Sequence, residues 1–253
     1  MTHIFDSHAH YDDERFSEDV YELLDVLPEK GVTGIISCGV NAETTRFAQA
    51  LAQKYSYIYA AAGFHPLNLE DVPDNTEQLL RELLKGPKTV AVGEIGLDYH
   101  YEKESRVAQL ALFEMQLRLA KELDLPVIVH DREAHDDTLK LLKEIQPKGV
   151  VHCFSGSVEM AKEILKLDMY IGLGGAVTFK NAVKPVEVAA MVPAERLLLE
   201  TDAPYMTPVP FRGKRCDSSH IAYTAARIAE IRGIDTQTLC EQTETNTRRL
   251  FGI

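Results

Sequence analysis

Short apolar, β-branched runs alternate with longer stretches of helical period along this chain. The runs at 3–7 (HIFDS), 33–38 (TGIISC), 57–62 (YIYAAA), 88–93 (KTVAVG), 126–130 (PVIVH), 149–153 (GVVHC), 169–173 (MYIGL) and 196–200 (RLLLE) predict strands. Between them, residues 104–124 and 133–146 carry apolar side chains at three- and four-residue intervals and predict helices. In the first of these, Leu110, Phe113, Leu117 and Ala120 fall on one face, able to cover a sheet. Pro126 cannot continue a helix and separates that element from the next strand.

Eight strands alternating with helices predict parallel pairing, because each crossover returns the chain in the same direction. No repeat is visible among the eight units. The rival architecture is an open doubly wound sheet, but no GxGxxG follows the first strand and eight units favour closure. The expectation is an α/β fold, a TIM (β/α)8 barrel, occupying 1–253 as one domain; 253 residues suit that fold.

In such barrels the chemistry sits at the C-terminal strand ends and in the loops beyond them. Here those positions are rich in ligating residues: Asp6-Ser7-His8-Ala9-His10, Gly63-Phe64-His65-Pro66, Gly93-Glu94-Ile95-Gly96-Leu97-Asp98, His130-Asp131-Arg132, His152-Cys153-Phe154 and Glu200-Thr201-Asp202. Of nine histidines, His8, His10, His65, His130, His152 and, at a looser position, His100 fall there. In extended backbone side chains alternate, so His8 and His10 point to one side and can reach one cation. Asp6 shares that parity, one step deeper, where it could orient a ligand histidine. A chance pair in a surface turn is the competing explanation for an isolated H-x-H; the other strand ends weigh against it.

Glu94 follows an apolar Val-Ala-Val-Gly strand, and a carboxylate there is costly to bury without a proton, a cation or a metal. The alternative is a structural ion pair with Arg132 or Lys88. His130 and His152 each close an apolar strand, where a lone histidine is more often a satisfied core residue; their company gives them weight. Asp202 is read as ligand or general base, and Glu200 as a buried supporting group. Cys153, of opposite parity to His152, is read as an apolar filler, which argues against a Cys–His nucleophile. Gly172-Leu173-Gly174-Gly175 lacks the Lys-Ser/Thr of a phosphate loop and is expected to leave room for backbone beside the site.

Composition narrows the options. No apolar run approaches the roughly 20 residues of a membrane helix, and no basic-then-apolar leader precedes the first strand. The four cysteines are scattered without CxxC spacing, as reduced thiols in a cytoplasmic protein would be. A net charge of −12 argues against extended polyanion binding, though not against acting on one phosphate through bound cations. No membrane or obligate protein partner is indicated.

The motifs FDSHAH (5–10), GFHP (63–66), AVGEIGLDYH (91–100), PVIVHDREA (126–134), VHCFSG (151–156), GLGGAVTFKNA (172–182), LLLETDAPYMTP (198–208) and RGKR (212–215) together resemble the TatD family of metal-dependent hydrolases, often described as deoxyribonucleases, within the amidohydrolase-like superfamily. The resemblance runs through nearly the whole chain. It implies a TIM barrel with two, sometimes three, divalent ions. His8, His10 and Asp202 would serve one, His130 and His152 the other, with Glu94 bridging and His65 and Arg132 holding a phosphate. It also implies phosphodiester hydrolysis at an exposed strand end; some relatives are linked to deacylation of D-aminoacyl-tRNA. After RGKR, relatives often continue Asn-(acidic)-Pro, whereas this chain has Cys216-Asp217-Ser218-Ser219-His220.

Asp202 could take a proton from water while remaining a ligand, and Arg132 offers a planar fork to phosphate. Arg212-Gly213-Lys214-Arg215 either meets a neighbouring phosphate or is a solvated loop. Mixed His/carboxylate ligation suits Zn, Mn, Ni or Co, with Mg held more weakly. A metal-dependent ester or amide hydrolase and a non-catalytic metal- or nucleic-acid-binding protein are the competing functions.

Overall fold

The computed structural model describes residues 3–101 and 103–253. Eight parallel strands, hydrogen-bonded in chain order, build the sheet: β1 (Ile4–Ala9), β2 (Val32–Cys38), β3 (Ile58–Ala62), β4 (Thr89–Asp98), β5 (Val127–Arg132), β6 (Gly149–Val151), β7 (Tyr170–Leu173) and β8 (Leu197–Leu199). Helices α1 (Val20–Val26), α2 (Ala42–Lys54), α3 (Thr76–Leu83), α4 (Arg106–Glu122), α5 (His135–Ile145), α6 (Val158–Lys166), α7 (Val183–Met191), α8 (Ile221–Arg232) and α9 (Thr236–Phe251) follow the strands, with two after the last. The sheet curls into a TIM barrel. Its seam joins β1 to the segment after β8: Ser7 Oγ donates to the Leu199 carbonyl at 3.0 Å, Asp202 N to His8 O at 3.0 Å, and His10 N to Ala203 O at 2.7 Å.

Two apolar layers form. Inside the barrel each strand supplies a side chain to one buried cluster: Phe5, Ile36, Ala61, Ala91, Ile128, Val150, Tyr170 and Leu198, closed at the bottom by Phe251 at the end of α9. Between barrel and helices the neighbouring residues, such as Ile4, Val92, Val127, Val129 and Leu197, pack against the helices. On α4 Phe113, Leu117 and Ala120 are buried and Leu110 is partly so, as the helical period predicts.

Strand bounds shift by a few residues from expectation. β4 runs on to Asp98, five residues beyond the expected end, whereas β6 stops at Val151 and β8 at Leu199. Among the described residues no helix is long and apolar enough to cross a membrane.

Candidate metal centre

Alternation along β5 and β6 carries the barrel interior directly to the mouth: Ile128 and Val150 point inward, so His130 and His152, two residues on, do too. In β1 and β4 it does not. Phe5 and Ala91 face inward, yet His8 and Glu94 lie three residues later. The pairing register shifts between Asp6 and Ala9 in β1, and between Val92 and Ile95 in β4. Such irregularities re-aim side chains. They turn His8, His10 and Glu94 into the mouth.

The result is a carboxylate ringed by imidazoles. Glu94 Oε2 lies 3.4 Å from His8 Nε2 and 3.1 Å from His10 Nε2. Its other oxygen, Oε1, lies 2.8 Å from His130 Nδ1, 2.8 Å from His152 Nε2 and 3.4 Å from His65 Nε2. Asp202 Oδ1 stands 3.6 Å from His8 Nε2 and 3.7 Å from His10 Nε2. Three ligand groups overlap here: His8–His10–Glu94, His8–His152–Asp202 and His65–Glu94–His130. Neither ion-pair alternative for Glu94 is formed among the described residues: Lys88 Nζ donates to the carbonyls of Tyr55 and Ser56, and the Arg132 guanidinium lies over the Tyr101 ring.

All eight site residues expected from the sequence meet at this mouth. His65 sits closer in than a purely substrate-facing role requires. Arg132 stays exposed on the wall of a cavity of about 540 Å³ that also contacts His10, Glu94, Asp98, His130 and Asp202. His100 stands aside, its half-exposed ring paired with Glu133 at 2.8 Å.

Electrostatics follow from burial at close quarters. Burial, reinforced by neighbouring His152, holds His8 well below its ordinary range, which leaves the neutral lone pair a cation needs. Burial acts the same way on His10 and His130, but is outweighed by the adjoining carboxylates: Glu94 and Asp202 raise His10 to about 9, and Asp98 and Glu94 raise His130 to about 10. Glu200 is pushed up to about 8 by burial. It is fully buried, accepts the Cys153 N–H, and lies 3.8 Å from His152 Nδ1. Asp202 takes a left-handed backbone, φ 60°, which Asp tolerates better than most residues and which lies beside the seam bond to His8.

Several expectations need correction. Asp6 touches no histidine ring. Its carboxylate accepts from Thr201 N at 3.0 Å, Thr201 Oγ1 at 2.6 Å, Ser218 Oγ at 2.6 Å and the His8 main-chain N–H at 3.3 Å. The shift in β1 puts it on the other side of the strand from His8, where it ties β1 to the end of β8 and to the loop 216–220. Ser218, in the segment that departs from the family pattern, is thus a buried brace, held also by Tyr11 Oη at 2.7 Å. Cys153 is only partly buried, because the chain leaves the extended conformation there, at φ 41°, one residue after the ladder bond from His152 N to Val129 O. Within 212–215, Arg215 is engaged by Asp19 and Arg212 lies over the Phe179 ring, 3.8 Å from its centroid. Among the described residues none of these four lines the cavity. The glycine segment behaves as expected: a Cβ at Gly175 would stand 1.9 Å from Met206 O.

Three contributors carry roles that the sequence did not assign. Asp98 lies 3.2 Å from His130 Nε2 and fixes that ring from behind; its signal was parity with Glu94, four residues back on an unexpectedly long strand. Gln109 and Gln116, fully buried on α4, each clasp the backbone N–H and C=O of one residue. Gln116 Oε1 accepts from Phe64 N at 2.8 Å and its Nε2 donates to Phe64 O at 2.9 Å. Gln109 does the same at Asp98, at 2.9 and 3.0 Å. Spaced seven apart, they share a helix face and hold the loops bearing His65 and Asp98.

Comparison with known proteins agrees with this architecture. The family described as TatD related DNase matches residues 5–252. An uncharacterized metal-dependent hydrolase of Bacillus subtilis is 41% identical over 99% of both chains. A 3′-5′ ssDNA/RNA exonuclease TatD of Citrobacter koseri is 36% identical, again over 99% of both. The crystal structure of a TatD homologue from Escherichia coli superposes with TM-score 0.93 at 37% identity, covering 99% of this chain and 98% of that one.

Proposed function

The chain belongs to the TatD-related DNase family, and we propose that it is a two-metal phosphodiesterase acting on nucleic-acid ends. The observation that carries this is the division of Glu94: one oxygen toward His8 and His10, the other toward His65, His130 and His152. A carboxylate so placed suits a bridging ligand, and the buried, convergent imidazole and carboxylate donors suit divalent transition ions.

His8, His10 and Asp202 would hold one ion, His130 and His152 the second, with Glu94 shared. Bound there, such ions supply positive charge against the phosphoryl oxygens and make water more acidic. The chain's own groups do the rest. Asp202, open to the cavity, can accept a proton from an attacking water. Asp98 keeps the His130 ring in one orientation, and Glu200 backs His152. Arg132 presents a fork to a phosphate oxygen from the wall. Relatives carrying the exonuclease name support the nucleic-acid part of the reading.

The test is metal removal. Protein stripped with a chelator is expected to lose turnover of single-stranded DNA and of a small phosphodiester, and to regain it with Mn, Zn, Co, Ni or Mg, elemental analysis identifying the resident ion. Undiminished turnover by metal-free protein would overturn the reading, as would no turnover with any ion.

A further inference from the structure

The mouth is not only a charged site. Tyr101 and Tyr205 line the same cavity and remain 60% and 45% exposed beside a buried cluster. Each is held. Tyr205 Oη donates to Asp13 at 2.8 Å, and the Arg15 guanidinium, itself hydrogen-bonded to Asp13, lies 4.1 Å from its ring centroid. Tyr101 has its backbone N–H on Asp98 at 3.1 Å, the Arg132 guanidinium 4.7 Å from its centroid, and the His100 ring against it at 4.7 Å. Tyr101 follows β4 beside the end of β5, whereas Tyr205 follows β8 and reaches residues beyond β1. With the strands in chain order around the barrel, these positions face one another across the cluster. Val40, Leu67 and Met206 give the same wall an apolar surface.

Cleaving a phosphodiester needs none of this aromatic and apolar surface. We propose that Tyr101 and Tyr205 are a two-sided base clamp, each ring stacking the nucleobase on one side of the scissile phosphate, so that the site selects unpaired nucleic-acid ends. The proposal rests on the phosphodiesterase reading above. Stacking on a ring needs a base whose face is free, which a duplex does not offer, and it tolerates any sequence because every base has a π-face. The guanidinium against each ring, Arg132 at Tyr101 and Arg15 at Tyr205, adds positive charge beside the flanking phosphates.

The experiment compares kcat/KM for short oligothymidylates that are intact, or that carry an abasic residue at the terminal or at the penultimate position of the cleaved end, in wild type and in Tyr101→Leu, Tyr205→Leu and the matching Phe variants. Wild type is expected to prefer the intact oligomer by roughly tenfold for each base removed. Each Leu variant should lose its share of that preference, and each Phe variant should keep it. A second readout needs no turnover: oligothymidylate carrying 5-iodouracil at its end, irradiated on the Mn-loaded protein, should crosslink to the peptides containing Tyr101 or Tyr205. Leu variants that slow intact and abasic substrates equally would overturn the clamp, as would crosslinks confined to other peptides. Failure of wild type to cleave any phosphodiester would sink the parent reading instead, while the crosslinks would still decide the clamp.

Discussion

The two ends of this barrel's interior are built by the same strands and obey different physics. At the bottom, one apolar side chain from each strand fills the space, with Phe251 closing it. At the top the same strands and the turns after them, two to five residues on, present five imidazoles and several carboxylates, most of them buried. The lower layer gains stability from removing apolar surface from water. The upper layer gives stability up, since charged and polar groups are taken from water and set close together. A fold can carry that cost only if the layer beneath is sound, so the barrel separates stability from chemistry along its axis.

The largest way to sharpen this contrast is Glu94→Gln. Because both Glu94 oxygens face histidines, the change removes one charge shared by two of the three ligand groups. Turnover is expected to fall by more than the roughly 10–100-fold that loss of an outer partner costs. Metal-free stability should move by no more than about 1 kcal/mol, or rise, as functional sites commonly cost stability. Activity measured beside urea unfolding checks both halves. A collapse of stability equal to a core deletion would show that the top is also structural.

The converse substitution is Ile128→Ala, at a fully buried position one alternation below His130. It should cost about 2–5 kcal/mol in urea unfolding, through lost burial and the cavity left behind. The folded fraction should keep its kcat/KM within a few-fold. If turnover falls as steeply as for Glu94→Gln, the two ends are mechanically coupled and the separation is wrong.

How much of this was legible beforehand depended on whether local rules extended to the site. The strand–helix alternation gave the fold, because each unit buries one face and must pair in parallel. At β5 and β6, His130 and His152 were read only as closing apolar strands and took their weight from the other ligands; alternation from Ile128 and Val150 brings both to the mouth. At β1 and β4 parity misleads: Phe5 and His8, or Ala91 and Glu94, face inward only because the register slips between them. A slip is a property of two paired strands, and one strand's sequence does not reveal it. Asp6 was misassigned for this reason. Gln109 and Gln116 were hidden for another: on a helix read for apolar period they look like surface residues, and only the tertiary placement of Phe64 and Asp98 gives their amides partners.

The smallest expected effect concerns the basic run after β8, which sequence alone left divided between phosphate contact and solvated loop. Arg215 grips both oxygens of Asp19 at 2.6 Å and lies 4.8 Å from the Phe16 ring centroid, turned from the cluster. Both partners are partly exposed, so the pair is screened by water and salt. Arg215→Gln is therefore expected to cost less than about 1 kcal/mol, with the loss shrinking at high salt. Its KM for single-stranded DNA should stay within about twofold, since a residue that neutralises no phosphate leaves the salt dependence of binding unchanged. A KM that rises several-fold, with a flatter salt dependence, would mean that Arg215 leaves Asp19 for the substrate. The electropositive approach to the site would then extend past the mouth, and the division between chemical and structural regions would have to be redrawn around β8.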